Sequence, residues 1–235
     1  MNPPSGSNQP TEKLQFYGRR KGKPLKAGRL GLLDNLLPRL KLSTDQPIDP
    51  DVLFPGKSVR LEIGFGSGEH LAYMAQANPG VGFIGSEVFL NGVGSLLRYV
   101  AEMDLANVRI YDNDVRYLLP MLRSNSLERV SLLFPDPWPK SRHAKRRFVG
   151  PAMLNEMARL LKDGGEFRVA SDHPVYVEWT LLHAPQHKDF RWEAKTPEDW
   201  RVRPADSTPT RYEEKALKAG RRPAFLTFTR IARTG

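Results

Sequence analysis

From Val59 onward, short apolar runs of strand length alternate with longer amphipathic stretches, and this alternation limits the fold more than any other feature. Strands are expected over 59–63, 81–87, 107–111, 129–134 and 166–171, and helices over 69–77, 90–103, 115–122, 151–161 and 174–183. Successive strands that run the same way need a crossover, so the pattern predicts a mostly parallel, doubly wound sheet with helices on both faces. Pro79-Gly80, Asp104 and Gly164-Gly165 supply the stops, the last pair ending a helix before the fifth strand. The period fades after residue 185 and returns as alternation over 223–231, which predicts a final antiparallel strand. In such sheets the ligand lies across the carboxyl ends of the strands.

The first of those ends reads Leu61-Glu62-Ile63-Gly64-Phe65-Gly66-Ser67-Gly68-Glu69. Its glycines admit a sharp turn and a ligand where a Cβ would collide. The spacing is G-x-G-x-G rather than the G-x-G-x-x-G that seats a pyrophosphate, and the flanking Glu62 and Glu69 would repel one. The second strand ends in Glu87, placed to accept from ribose hydroxyls. The third ends in Asp112-Asn113-Asp114, where either acid could face an adenine amino group, and the fourth delivers Asp136. Acids at four strand ends are hard to explain by packing, since buried carboxylates need partners. A nucleoside bearing positive charge, such as S-adenosylmethionine, supplies donors and a cation together; a nicotinamide site and a purely structural turn are the alternatives.

Asp136 stands on a loop stiffened by three prolines, Pro135-Asp136-Pro137-Trp138-Pro139, and Lys140 to Arg147 then place five Lys or Arg among eight residues. The net charge of +10 and pI near 9.9 are not evenly spread. Residues 1–30 carry seven Lys or Arg against Glu12 and residues 135–149 carry five against Asp136, so the remainder is neutral. Charge so concentrated favours a nucleic-acid partner. Residues 1–30 read as a flexible basic arm, disordered over 1–12, in which Phe16 and Tyr17 could stack on RNA; residues 31–235 read as one domain, opening with a short helix and a loop over 31–56.

With no cysteine in the chain, disulfides, thiolate metal sites and cysteine nucleophiles are excluded. No apolar leader or membrane-length run is visible, so a soluble, unexported protein is expected. His183 and His187 have metal-pair spacing, but Pro185 breaks the shared helical face and no metal is expected.

Phe134-Pro135-Asp136-Pro137-Trp138-Pro139-Lys140 and Arg142-His143-Ala144-Lys145-Arg146-Arg147, with the glycine turn and Thr210-Arg211-Tyr212-Glu213, resemble the bacterial tRNA (guanine-N(7)-)-methyltransferase family over about residues 58–231. The resemblance implies the class I S-adenosylmethionine-dependent methyltransferase fold, a seven-stranded sheet with an antiparallel last strand. It implies S-adenosylmethionine as donor, the ring nitrogen of the variable-loop guanine (position 46) of tRNA as acceptor, and a cytoplasmic location. Glu62, Gly64, Gly66, Gly68, Glu87, Asp114 and Asp136 would then bind the donor, with Asp136 also catalytic. Lys140, Asp172, Thr210, Arg211, Tyr212 and Glu213 would bind the target nucleotide, and Arg142, His143, Lys145, Arg146 and Arg147 the RNA. No obligatory protein partner is implied. Competing expectations are methylation of an exocyclic amine, which Asp136-Pro137-Trp138 nearly matches, a silent RNA-binding subunit, and a nicotinamide-linked oxidoreductase.

Overall fold

The structure, a computed structural model, describes residues 14–234. Seven strands form one sheet: β1 (Ser58–Ile63), β2 (Val81–Ser86), β3 (Val108–Tyr111), β4 (Leu127–Leu133), β5 (Leu161–Ser171), β6 (Phe190–Arg191) and β7 (Ala224–Arg230). Their order is β3-β2-β1-β4-β5-β7-β6. The pairs among β1 to β5 are parallel, and β7 runs antiparallel to both β5 and β6. Helices α1 (Ala27–Asn35), α2 (Leu37–Leu40) and α3 (Pro50–Leu53) precede β1, and between the strands come α4 (Glu69–Ala77), α5 (Leu90–Glu102), α6 (Val115–Leu118), α7 (Pro151–Leu160), α8 (Pro174–His183), α9 (Glu198–Arg201) and α10 (Arg211–Lys218).

Two apolar layers sandwich the sheet. On one face Leu71 and Met74 of α4 and Val93, Leu96 and Leu97 of α5 meet Phe83, Val108 and Ile110, with Leu37 and Leu40 closing the edge. On the other, Leu118, Leu154, Met157 and Tyr176 meet Val130, Phe167 and Phe228. Each fully buried leucine here stabilises by about 1.5–3 kcal/mol relative to exposure. Pro151 and Pro174 start α7 and α8, where a missing N–H costs nothing.

The strand–helix reading holds for the sheet and its helices, with three differences along the chain. The helix expected over 115–122 is α-helical only to Leu118 and tightens to a 3-10 turn over Leu119–Met121, where Pro120 sits. Gly164-Gly165 does not separate α7 from the fifth strand but lies inside β5, opposite a register shift between Leu127 and Arg129. This is bulge geometry, which Gly164 at φ 77° accommodates. The third is the aperiodic stretch after 185, which contains β6, α9 and α10. Residues 14–30 also differ from a flexible arm: residues 14–25 lie against the domain and α1 starts at Ala27, whereas the disorder expected over 1–12 falls outside the described residues. Apolar and aromatic groups hold them down, with Tyr17 6.2 Å from the Trp138 ring and Leu25 beside Gly94. Among the described residues no helix is long and apolar enough to cross a membrane.

Candidate active site

A cavity of about 570 Å³ opens at the carboxyl ends of β1 to β4. Its walls include Gly64 after β1, Glu87 after β2, Asp114 after β3, and Asp136 and Trp138 after β4. Three of the four strand-end acids therefore share one space. Asp112 turns away into an ion pair with Lys41 at 2.9 Å, whereas Asp114 faces the cavity.

Glu62 does not line this cavity. Side chains alternate along a strand, and Ile63 faces the cavity, so Glu62 points to the opposite face of the sheet. There its Oε2 lies 2.7 Å from Nδ1 of buried His70. Gly68 closes the turn in a left-handed conformation, φ 78°, and serves as the N-cap position of α4; a Cβ there would stand 2.7 Å from that of Leu96.

Glu87 is held by three backbone donors: Gly66 N–H at 2.8 Å to Oε2, and Val88 and Phe89 N–H at 2.8 Å to Oε1. Burial raises its pKa above the usual carboxylate value, the three N–H groups oppose the rise, and the negative charge of Asp136 adds to it. A cationic ligand between Glu87 and Asp136 would relieve that repulsion. Asp114 caps α6 by accepting from Arg116 N–H at 3.0 Å and is clasped by the Arg116 guanidinium at 2.5–3.1 Å. The same guanidinium donates to the Gln15 carbonyl at 2.9 Å, tying the amino-terminal segment to the acid.

That segment forms a wall the sequence reading did not foresee. Residues 14–18 line the cavity, and Leu14 N–H donates to the Tyr117 hydroxyl at 2.9 Å. Further on, Arg20 accepts from Leu90 N–H at 3.0 Å through its carbonyl, and Gly22 N–H donates to Asn91 at 2.8 Å.

The loop that carries Asp136 is strained at both ends, because Phe134 and Trp138 have φ of 51° and 43°. Bulky residues in that region cost about 1–3 kcal/mol each. Arg147 offsets part of this: its Nη2 donates to the Trp138 carbonyl at 2.9 Å, its Nε reaches the Pro137 and Trp138 carbonyls at 3.3 Å, and its guanidinium covers the Trp179 ring at 4.7 Å. Arg146 lies over both Tyr17 and Trp138, at 4.2 and 4.8 Å. Of the five residues expected at RNA, Lys145, Arg146 and Arg147 thus line the cavity, Lys145 with its side chain exposed, while Arg142, like Lys140 expected at the target nucleotide, is exposed. Desolvation and the neighbouring Arg146, Arg142 and Lys140 lower the pKa of His143, which keeps it neutral at pH 7.

The residues expected at the target nucleotide gather at the next part of the same edge. Asp172 follows β5 and is paired with Arg221 at 2.6 Å. Thr210 is the N-cap of α10, its hydroxyl accepting from Glu213 N–H at 3.0 Å. Buried Glu213 pairs with Arg203 at 3.2 Å and keeps one carboxylate oxygen without a partner. Arg211 N–H reaches Glu69 at 3.3 Å, and the half-exposed Tyr212 ring lies against the glycine turn, 3.3 Å from where a Gly66 Cβ would be. Missed by sequence reasoning were Arg116, which clasps Asp114 two residues away, and Trp179, His70 and Ser207, whose contacts include distant partners. Among the described residues no group of three His, Cys, Asp or Glu is placed to hold a metal, and His183 rests on Trp179 at 4.1 Å while His187 bonds Asn155.

The family described as "Putative methyltransferase" matches residues 56–226. A protein of Rhodospirillum rubrum named tRNA (guanine-N(7)-)-methyltransferase is 55% identical over 232 residues, 96% of this chain and 91% of that one. One of Paramagnetospirillum magneticum with the same name is 50% identical, over 96% and 97%. Among solved structures, the antibiotic-resistance methyltransferase Kmr superimposes with a TM-score of 0.55 over 78% of this chain and 92% of its own, at 18% identity. That likeness carries the fold, a class I methyltransferase sheet.

Proposed function

Because the chain belongs to the tRNA (guanine-N(7)-)-methyltransferase family, we propose that it transfers a methyl group from S-adenosylmethionine to N7 of the variable-loop guanine, position 46, of tRNA. The supporting observation is the set of three carboxylates, Glu87, Asp114 and Asp136, around one cavity of about 570 Å³ at the strand ends. Glu87 has a lone pair left for ribose, Asp114 in its Arg116 clasp borders the adenine side, and Asp136 stands where a sulfonium would meet a second nucleotide. The glycine turn supplies the floor, and Glu62 supports it from the opposite face rather than touching the donor.

The guanine N7 lone pair attacks the methyl carbon as the S–CH₃ bond breaks, its electrons passing to sulfur. No proton must leave, and the positive charge moves from sulfur to the purine ring. A fixed carboxylate beside that ring stabilises the charge as it develops, which assigns this work to Asp136. Rigid placement matters as much, since orientation of reactants supplies up to ~7–11 kcal/mol in favourable cases. Asp172, Lys140, Tyr212 and Glu213 hold the target base and ribose; Arg142 and Lys145 meet phosphates, with Arg146 and Arg147 ordering the loop beneath them. The protein works in the cytoplasm on free tRNA without a required protein partner.

Incubation with labelled donor and unmodified tRNA, followed by nucleoside analysis, tests the reading. Label is expected in 7-methylguanosine; amino-methylated nucleosides with no 7-methylguanosine would overturn it. Asp136→Ala is expected to abolish turnover with tRNA affinity largely kept.

A further inference from the structure

On the face of β1 opposite the large cavity, His70 lies buried and 7% exposed. Its Nδ1 is 2.7 Å from Glu62 Oε2 and its Nε2 is 3.1 Å from Ser207 Oγ. Ser207 is 137 residues away in sequence and stands three positions before Thr210, so this imidazole joins the strand that starts the glycine turn to the segment that leads into α10. Nothing in the proposed chemistry uses it. Arg129 and Arg168 grip Asp206 at 2.7 Å, but Asp206 is exposed, and Arg203 reaches Glu213 at 3.2 Å from a half-buried position. The imidazole at the centre of the His70 link is buried, as is the acid before the glycine turn on which the link ends.

We propose that His70 is a positioning residue for methyl transfer: by bonding Glu62 on one side and Ser207 on the other, it fixes where residues 210–213 stand above the glycine turn. Tyr212, already lying against Gly66, is the side chain this placement sets. The inference rests on the assignment of residues 210–213 to the target nucleotide.

Charge adds a second handle. Burial opposes protonation of His70, but the attraction of Glu62 and its hydrogen bond, with Glu69 and Glu213 farther off, outweigh it and the pKa is raised above 6.5. The groups facing the ring are Glu62 from β1, Glu69 from its own helix, Glu213 from α10 with Arg203 beside it, and Ser207; Arg60, Arg129, Arg168 and Asp206 line the same small cavity. Both ring states can keep both hydrogen bonds, since Ser207 accepts from the charged ring and donates to the neutral one. Only the charged ring also attracts Glu213, so the hold on α10 weakens as pH rises through the pKa of His70.

The experiment is steady-state kinetics on unmodified tRNA transcripts with the full chain, calorimetric titration of the donor, and thermal melts. Ser207→Ala, and His70→Asn, whose amide replaces Nδ1 but not Nε2, are expected to raise KM for tRNA about five- to tenfold, the worth of one buried hydrogen bond. kcat and donor affinity stay within about twofold of wild type. His70→Gln, whose amide replaces Nε2, restores most of the KM. KM of the wild type rises from pH 6.5 upward, and His70→Asn flattens that profile. A merely structural role would lower the melting temperature without this split. KM raised by Tyr212→Ala but untouched by the His70 and Ser207 variants overturns the positioning role alone. KM untouched by all of them overturns the target assignment, and the positioning role with it.

Discussion

Gly92 lies in the first turn of α5, facing the glycine turn, and replacing it by alanine sets two effects against each other. Alanine is favoured over glycine in a helix by about 1 kcal/mol. A Cβ at this position, however, would stand 2.1 Å from the Gly66 carbonyl oxygen, 3.1 Å from its carbon and 3.3 Å from Glu87 Cγ. Carbon and oxygen tolerate no closer than about 3.3 Å, so roughly 1.2 Å must be found by moving backbone. Overpacking of this kind costs about 1–3 kcal/mol, which cancels or exceeds the helical gain. The melting temperature should therefore fall by up to about 6 °C. The larger effect falls on the donor. Moving Gly66 breaks its 2.8 Å hydrogen bond to Glu87, a bond to a charged group worth about 1.5–3 kcal/mol, and donor affinity should weaken by about ten- to a hundredfold. Calorimetric titration of S-adenosylmethionine measures this directly. A Gly92→Ala variant that binds donor as wild type does, with its melting temperature unchanged or raised, would refute the claim that the turn's position matters.

Deleting residues 1–23 removes the wall formed by residues 14–18, so donor affinity should fall at least as far as tRNA affinity; an arm serving RNA alone would leave the calorimetric donor titration unchanged. Arg147→Lys keeps the charge but loses the forked grip on the Pro137 and Trp138 carbonyls, and single-turnover rates should drop about ten- to a hundredfold with donor affinity nearly constant. Stability should depend on pH at both ends. Burial opposes ionisation of Asp206, yet its bonds to Arg168 and Arg129 bring its pKa to about 2, below the ordinary 3.8, so its stabilising contribution is present above 3.8 and is lost as pH falls through 2. His70 has the opposite sign: its folded pKa is above 6.5, so its contribution is full below 6.5 and is lost as pH rises through the folded value. Denaturant midpoints across pH should show both losses, with Asp206→Asn flattening the acid side and His70→Asn the alkaline side.

What was legible in the sequence is what burial writes locally. α4, α5 and α7 carry apolar spacing that declares a face, β1, β2 and β4 are short apolar runs, and their order alone brings Glu87, Asp114 and Asp136 to one edge. The orientation of Glu62 was not read from the sequence: alternation sets Glu62 and Ile63 on opposite faces, and the bond to His70 shows which face Glu62 takes. α10 escaped because only Glu213 and Ala216 are buried along it, which leaves no apolar stripe. Its signal was of another kind: Thr210-x-x-Glu213 is the start of a capping box, and Gly220 just beyond supplies the stop. The docking of residues 14–25 and the His70 to Ser207 bond have no local signature, since each joins groups far apart in the chain.

The proline loop has a consequence for how such a protein ages. With Phe134 and Trp138 both held at positive φ, the peptide between them does not keep its shape by its own preferences; it borrows that shape from Arg147, Trp179 and Tyr17. Heat that loosens any of those lenders is expected to let the segment relax to an ordinary extended path and swing Asp136 off target while every strand of the sheet is still paired. Inactivation by this route is silent to any probe of secondary structure, and it reverses once the neighbours are restored.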